Sequence, residues 1–237
     1  MRTLGDAELL CLWERGAGRR PWEQALLALA TAVPEESCES LAAWPVGRRN
    51  QALARLRCRC FGRRLRAWLA CTACGERLEF EMDAQRLAGE DTRAVNGAEE
   101  AVNINGRRFR LPTSQDLARA AAESDPETGA RRIAEGCLLE TGSRIEWSAE
   151  ELAAIGQQLA VADPHAETGL TFQCPACGRT WEEALDIVGF FWTELEARIR
   201  QLLFAVHTLA SVYGWSETDI LGLSDRRRAA YLELAQA

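Results

Sequence analysis

Apolar residues recur at helical spacing in the first quarter of the chain. Leu9 and Leu12 belong to a short amphipathic helix that is predicted to end near Gly16. Pro21 suits the first position of a second helix, because proline has no backbone N–H to leave unsatisfied there. A third helix, with its apolar positions set among arginines, is predicted to continue to Arg66. Residues 1–66 are therefore predicted to form a helical N-terminal region.

The C-terminal region shows the same periodicity over a longer stretch. Its apolar positions are spaced alternately by four and three residues, which predicts one long helix with an apolar seam. The seam consists of Val188, Trp192, Leu195, Ile199, Leu202, Val206, Leu209 and Tyr213. Gly214 is predicted to end this helix, and Ser216 and Ser224 to cap two short helices after it. Residues 187–237 are therefore predicted to be helical.

Two short segments in the middle of the chain resemble each other. Cys71-Thr-Ala-Cys-Gly75 precedes the alternating run Arg77–Met82, and Cys174-Pro-Ala-Cys-Gly178 precedes a similar run from Arg179 to Glu182. Alternation of apolar and polar residues is typical of a half-buried strand. Each segment is therefore predicted to be a tight turn followed by a strand, and residues 67–90 and 170–186 to form one split module resembling a zinc ribbon.

Residues 91–169 separate the two halves of this module and are predicted to form a hairpin and a helical insert. Asn105-Gly106 favours a type I′ hairpin turn. Thr113, Asp125 and Ser148 each stand where a helix is expected to begin. The predicted fold is thus mainly α, with a small β module that the insert divides.

The two Cys-x-x-Cys pairs predict one structural zinc ion per chain. Each pair can direct two sulfurs at one ion, and the following glycine permits the tight turn. The predicted ligands are Cys71, Cys74, Cys174 and Cys177. Four protein ligands saturate tetrahedral zinc, so no position remains for a reactive water. The alternative is that the pairs are unrelated redox or buried cysteines.

Composition narrows the possible locations and functions of the protein. Asp6 stands where a signal peptide would be apolar, and no apolar run approaches the roughly 18 residues of a membrane span, so a cytoplasmic protein is expected. In that compartment, nine cysteines favour metal binding over disulfides. The chain has two histidines, no lysine and no recognisable nucleophile or nucleotide-binding motif. We therefore expect neither an enzyme nor a protein with a small-molecule substrate.

Charge and exposed aromatics suggest contact surfaces. Eight arginines and no acid lie between Glu39 and Glu76, although the net charge of the chain is −7. This stretch could dock on an acidic protein, bind nucleic acid, or simply face solvent, and we expect the protein neighbour because the rest of the chain would repel phosphate. The residues predicted to contact a partner are Arg48, Arg49, Arg55, Trp215, Ile220 and Tyr231. The alternative for the last three is that they complete the protein's own core.

Several segments resemble one protein family. His207–Leu232 is similar to the C-terminal end of the T4-type baseplate hub assembly proteins, or hub assembly chaperones, of contractile phage tails and phage-tail-like injection systems. Phe109–Leu117, Leu12–Gly16 and the two cysteine segments also resemble parts of this family. The resemblance implies a baseplate component or assembly factor whose partners are other baseplate or tail proteins. It implies an origin in the bacterial cytoplasm, with or without incorporation into the particle, and no catalytic residues.

A function of another class remains open on the sequence alone. A zinc-ribbon regulator could bind nucleic acid through a basic helix from Arg48 to Arg66. A metal hydrolase would require that one of the four cysteines leave the metal.

Overall fold

The computed structural model of the protein describes residues 1–89, 101–140 and 146–235. Its helices are α1 (Asp6–Gly16), α2 (Pro21–Ala32), α3 (Cys38–Ala42), α4 (Val46–Phe61), α5 (Gln85–Ala88), α6 (Ser114–Ala120), α7 (Pro126–Cys137), α8 (Ala149–Ala162), α9 (Ile187–Tyr213), α10 (Glu217–Leu221) and α11 (Asp225–Ala235). Its strands are β1 (Arg64–Ala70), β2 (Arg77–Asp83), β3 (Val102–Ile104), β4 (Arg107–Phe109), β5 (Gly169–Gln173) and β6 (Thr180–Ala184). The described chain is mainly helical, with three small antiparallel hairpins, β1–β2, β3–β4 and β5–β6. Within these residues, no helix is long and apolar enough to cross a membrane.

The main core lies where the N-terminal helices meet α9. Leu195 and Ile199 on α9 are at most 1% exposed and belong to one apolar cluster with Leu12 of α1 and Leu53 of α4. Inward residues of hairpin β1–β2, among them Leu65, complete the cluster. The predicted seam of α9 therefore faces the protein's own core from Val188 to Leu202, whereas Tyr213 at its end is exposed.

Local signals set most helix ends as predicted. Pro21 is the first residue of α2. The side chain of Ser148 accepts a hydrogen bond from the N–H of Glu151 at the start of α8, at 3.2 Å. Gly214 ends α9 in the left-handed conformation, with φ of 69°, which costs glycine little because it has no Cβ. The predicted start of α2, start of α8 and end of α9 are therefore confirmed. Each depends only on residues next to it in the chain.

The predicted helix up to Arg66 is wrong at its C-terminal end. Helix α4 ends at Phe61, Gly62 takes a φ of 90°, and β1 begins at Arg64. The buried guanidinium of Arg57 donates to the carbonyls of Gly62 and Arg64 at 2.7 and 2.6 Å. These bonds stabilise the change from helix to strand, so the arginine-rich stretch is divided between two elements.

The insert has a core of its own. Phe109, Cys137 and Ile155 lie in a second apolar cluster, formed by β3, β4, α7 and α8. The predicted turn is confirmed, because Asn105 and Gly106 both have positive φ, 51° and 78°, as a type I′ turn requires. The boundary predicted between residues 90 and 91 lies outside the described residues.

Polar contacts attach the insert to the start of α4. The N–H of Val46 donates to the carbonyl of Pro112 at 2.9 Å, and the N–H of Gly47 donates to the carboxylate of Asp163 at 2.8 Å. A Cβ on Gly47 would lie 1.7 Å from that carboxylate, so glycine is required there. Asp163 thus caps α4 from the far end of the insert.

The second polar anchor is the segment Phe109–Leu117. Asp116, whose side chain is fully buried, accepts hydrogen bonds from Arg110 at 2.6 Å and from the N–H of Thr113 at 2.8 Å. Burial alone would raise the pKa of Asp116, but the hydrogen bonds from Arg110 and Thr113 outweigh it and hold the pKa below its usual range. The carboxylate therefore stabilises the fold only while it is ionised.

We expect Asp116→Asn to lower the free energy of unfolding at pH 7 by about 3 kcal/mol, because Arg110 loses a buried partner. Since the folded pKa is depressed, this loss is fully present above the unfolded pKa of about 4 and disappears as the pH falls through the folded value. Urea unfolding of both proteins at several pH values measures the difference. The control, Glu127→Gln on exposed α7 surface, should change stability by no more than about 0.5 kcal/mol at any pH. A difference between Asp116→Asn and wild type that is the same at pH 7 and pH 3 would contradict the prediction.

Candidate metal centre

The two cysteine segments fold into equivalent turns. In the first, the N–H of Cys71 donates to the carbonyl of Glu76 at 2.8 Å and the N–H of Gly75 donates to that of Cys71 at 2.9 Å. In the second, the corresponding bonds of Cys174 and Gly178 have the same two lengths. Gly75 and Gly178 have φ of 76° and 74°, a conformation that other residues rarely adopt. The sequence repeat is therefore also a structural repeat.

Each turn joins two antiparallel strands. The strands after the turns were predicted, whereas β1, before the first turn, was assigned to the helical region up to residue 66. A signal for β1 exists, since Leu65, Ala67 and Leu69 alternate with exposed Arg66 and Trp68. Because the arginines of α4 come just before it, the whole stretch up to Arg66 was predicted to be one helix.

Aromatic contacts bring the two hairpins together. The rings of Phe80 on β2 and Phe172 on β5 lie 5.1 Å apart, edge to face. Phe172 also lies 5.9 Å from Trp181 on β6. Such pairs stabilise beyond the area they bury, and they place both cysteine turns at the same end of the paired hairpins.

The four predicted ligands meet in one cluster, which could hold a metal ion. The Sγ atoms of Cys71, Cys74, Cys174 and Cys177 all lie within 4.8 Å of one another. The Cys71–Cys177 and Cys74–Cys174 sulfurs are 3.7 and 3.6 Å apart, close to the edge of about 3.8 Å that follows from tetrahedral zinc–sulfur bonds of about 2.3 Å. Cys71 and Cys174 are buried, and Cys74 and Cys177 are exposed. The cluster is closed on its inner side and reaches the surface on the other.

The electrostatics of the cluster favour a cation. Backbone N–H groups of Ala73 and Cys74 lower the pKa of Cys71 to about 6. The N–H of Glu76 lowers the pKa of Cys74, but hydrogen bonding to Cys174 and burial outweigh it and raise that pKa to about 12. Without a cation, Cys71 and Cys74 therefore do not readily ionise together. A metal ion removes the conflict, because all four ligands can then be thiolates.

The residues predicted to contact a partner through the C-terminal helices divide into two groups. Ile220 is 0% exposed, so its prediction as a contact residue is wrong, because α10 turns it inward. Trp215 and Tyr231 are half-buried and pack with their rings 4.8 Å apart, and Trp215 stacks on Tyr213 at the same distance. These three rings form an aromatic cluster that joins the ends of α9 and α11.

The arginines predicted to form a basic contact surface have partners within the chain. Arg49 is 5% exposed, donates to Ser114 at 3.1 Å, and burial lowers its pKa to about 10. Arg49 is therefore an internal polar anchor and its prediction as a contact residue is wrong. Arg48 covers the ring of Trp44 at 4.0 Å, and Arg55 donates to the carbonyl of Ala88 at 2.6 Å.

Sequence reasoning missed the ion pair between Arg57 and Glu194. Arg57 is fully buried and its Nε and Nη2 donate to the Glu194 carboxylate at 2.7 and 2.5 Å. A signal was present, because Arg57 follows Leu53 by four residues and so lies on the inner face of α4. A pattern of hydrophobic and polar residues places every arginine at the surface. At this buried position the long side chain of Arg57 is needed to reach Glu194.

Comparison with known proteins identifies no relative of this chain. No family model, curated protein or solved structure matches it. The function is therefore inferred from the residues of the chain and their geometry.

Proposed function

We propose that the four cysteines bind one structural zinc ion. Four sulfur ligands at tetrahedral spacing suit zinc or iron. Among the described residues no fifth donor joins the cluster, which suits a structural role. Elemental analysis of protein purified with ample zinc should give one zinc per chain. A coloured, iron-containing protein, or one without metal, would contradict the assignment.

We propose further that the chain is a component or assembly factor of the baseplate of a contractile phage-tail-like particle, acting in the bacterial cytoplasm through protein contacts. The observation that carries this proposal is the segment His207–Leu232, which resembles the end of the hub assembly proteins. It comprises the end of α9, α10 and α11; α10 and α11 pack on α9, and α10 also contacts α1. A saturated metal site supports a non-enzymatic role, because it leaves no position for substrate or water.

The regulator that binds nucleic acid through a basic helix receives less support. Two of its arginines, Arg49 and Arg57, are buried. Arg63 pairs with Asp83, and Arg64 and Arg66 pair with Glu81 on the neighbouring strand. Neutralised and buried guanidinium groups do not supply the phosphate contacts that such binding depends on.

Deletion of the gene tests the proposed function. Cells that lack the chain should yield no complete contractile particles by electron microscopy, and expression of the wild-type chain should restore them. Mass spectrometry of purified particles then decides between a component, which is retained, and an assembly factor, which is not. Complete particles in the deletion strain would refute the proposal.

The outer side of α9 offers the contact surface that this function needs. Leu203, Phe204 and Val212 are 40%, 56% and 53% exposed on a helix whose other side is core. Exposed aromatic residues of this kind often dominate the energy of an interface.

We expect Phe204→Asp to leave the melting temperature within about 2 °C of wild type, since exposed sites tolerate substitution. It should weaken particle assembly by roughly 30-fold, which corresponds to about 2 kcal/mol for a lost aromatic anchor. Complementation of the deletion strain, scored as particle yield, measures this effect. Val161→Asp on α8, which is 73% exposed, is the matched control and should restore normal yield. Equal yields from both variants would rule out this side of α9 as the contact.

A further inference from the structure

Helix α11 adds almost nothing to the apolar core. Its one buried side chain in the described chain is Arg228, which is 5% exposed. Tyr231 and Leu232 are half-buried, and Leu234 is 65% exposed. By contrast, the much shorter α10 buries Ile220 completely. Hydrophobic burial, the usual means of holding a surface helix, therefore acts on α11 mainly through the ring of Tyr231, which packs on Tyr213 and Trp215.

A cluster of four charged residues holds the first turn of α11. Asp6, at the first position of α1, accepts hydrogen bonds from Arg198 on α9 at 2.8 Å and from Arg228 at 2.5 Å. Asp225, at the first position of α11, accepts from the same two arginines at 2.6 and 3.3 Å. Two cations and two anions thus connect the first and the last helix of the described chain through α9. We call these four residues the charge cluster.

The packing beneath α11 is incomplete. A cavity of about 540 Å³ lies beside the charge cluster, with walls that include Leu4, Leu9, Cys60 and Phe61. Nε of Arg228 is buried there without a hydrogen-bond partner. A buried donor without a partner destabilises the docked position, and an open cavity forfeits the contacts that close packing would supply.

We propose that α11 is a releasable C-terminal latch, held shut by the charge cluster and opened independently of the rest of the fold. Release turns the helix about the connection at Gly222–Ser224 and opens the cavity walls to solvent. The main core remains intact, because α11 supplies none of its apolar residues. This device goes beyond the proposed function and does not depend on it.

Hydrogen exchange of the full-length, metal-loaded chain, resolved by peptide, tests the latch. In Asp6→Asn, both arginines lose one of their two shared anions, the one that connects them to α1. A hydrogen bond between charged groups is strong enough that its loss should speed exchange in α11 by about tenfold or more. Exchange in α9 between Leu195 and Leu209 should stay at the wild-type rate. Maleimide labelling of Cys60 should accelerate in parallel, whereas Cys137, buried in the insert, should stay unlabelled.

Two further variants make the result decisive. Glu8→Gln alters the same first turn of α1, where Glu8 accepts from the N–H of Gly5 at 3.0 Å, but does not touch the charge cluster, so α11 should exchange as in wild type. Arg228→Gln should speed exchange of α11 as Asp6→Asn does, and the double variant should add little, because both changes open one latch. Wild-type exchange of α11 in Asp6→Asn would overturn the proposal. So would an equal loss of protection in α9, since α11 would then open only with the whole fold.

Discussion

Replacing Cys174 with serine is expected to abolish metal binding and lower the free energy of unfolding by roughly 5 kcal/mol or more. Structural zinc sites contribute on the order of 10 kcal/mol to folding, and a lost thiolate removes much of that contribution. Cys174 is 1% exposed and its Sγ lies 3.6 Å from that of Cys74.

Thermal denaturation together with elemental analysis measures the effect. Cys38→Ser removes an exposed cysteine outside the cluster, and it should change stability by no more than about 0.5 kcal/mol. A strong chelator should bring the wild-type melting temperature close to that of Cys174→Ser. If Cys174→Ser retained one metal ion per chain and the wild-type melting temperature, the structural role of the cluster would be excluded.

Replacing Arg57 with methionine is expected to cost about 3–5 kcal/mol, because it breaks a buried ion pair and leaves one partner behind. The guanidinium is 1% exposed and binds Glu194 with two hydrogen bonds. It also binds the carbonyls of Gly62 and Arg64, so its loss leaves the turn between α4 and β1 without donors. Urea unfolding monitored by circular dichroism measures the change.

Arg63→Met supplies the matched control for this second substitution. Arg63 pairs with Asp83 at 2.6 Å, but its side chain is 68% exposed, so the loss should be at most about 1 kcal/mol. The double variant Arg57→Met/Glu194→Leu should recover part of the stability, since it leaves no unpaired charge. A loss below 1 kcal/mol for Arg57→Met would show that solvent reaches this site.

The sequence allowed the cluster of four cysteines to be predicted, because its residues stand in two local motifs. Each Cys-x-x-Cys-Gly segment determines its own turn, and soft ligands in that spacing have few other uses. Helix ends at Pro21, Ser148 and Gly214 were predictable for the same reason, since each depends on residues next to it. Neither kind of feature requires knowledge of the tertiary fold.

The errors arose where tertiary contacts decide. Arg49 was assigned to the surface by its charge, and it lies inside because Ser114, far along the chain, offers its guanidinium a hydrogen bond. Ile220 was assigned to a partner because an isolated five-residue helix gives no sign of which side it will bury. The strand β1 was missed because its alternation extends over only seven residues and follows the helical pattern of α4 after only Gly62 and Arg63.

The separation of the two cysteine turns has a consequence for synthesis of the chain. Cys74 and Cys174 are 100 residues apart, so at about 5–20 residues per second the first pair waits roughly 5–20 s for the second to be made. During that interval the ribosome-bound chain has only two of the four cluster thiols and an unpaired hairpin, while α9, which completes the main core, is still to come. The insert is translated within this window and has its own apolar cluster. It is therefore able to fold before the second cysteine pair and α9 have been made.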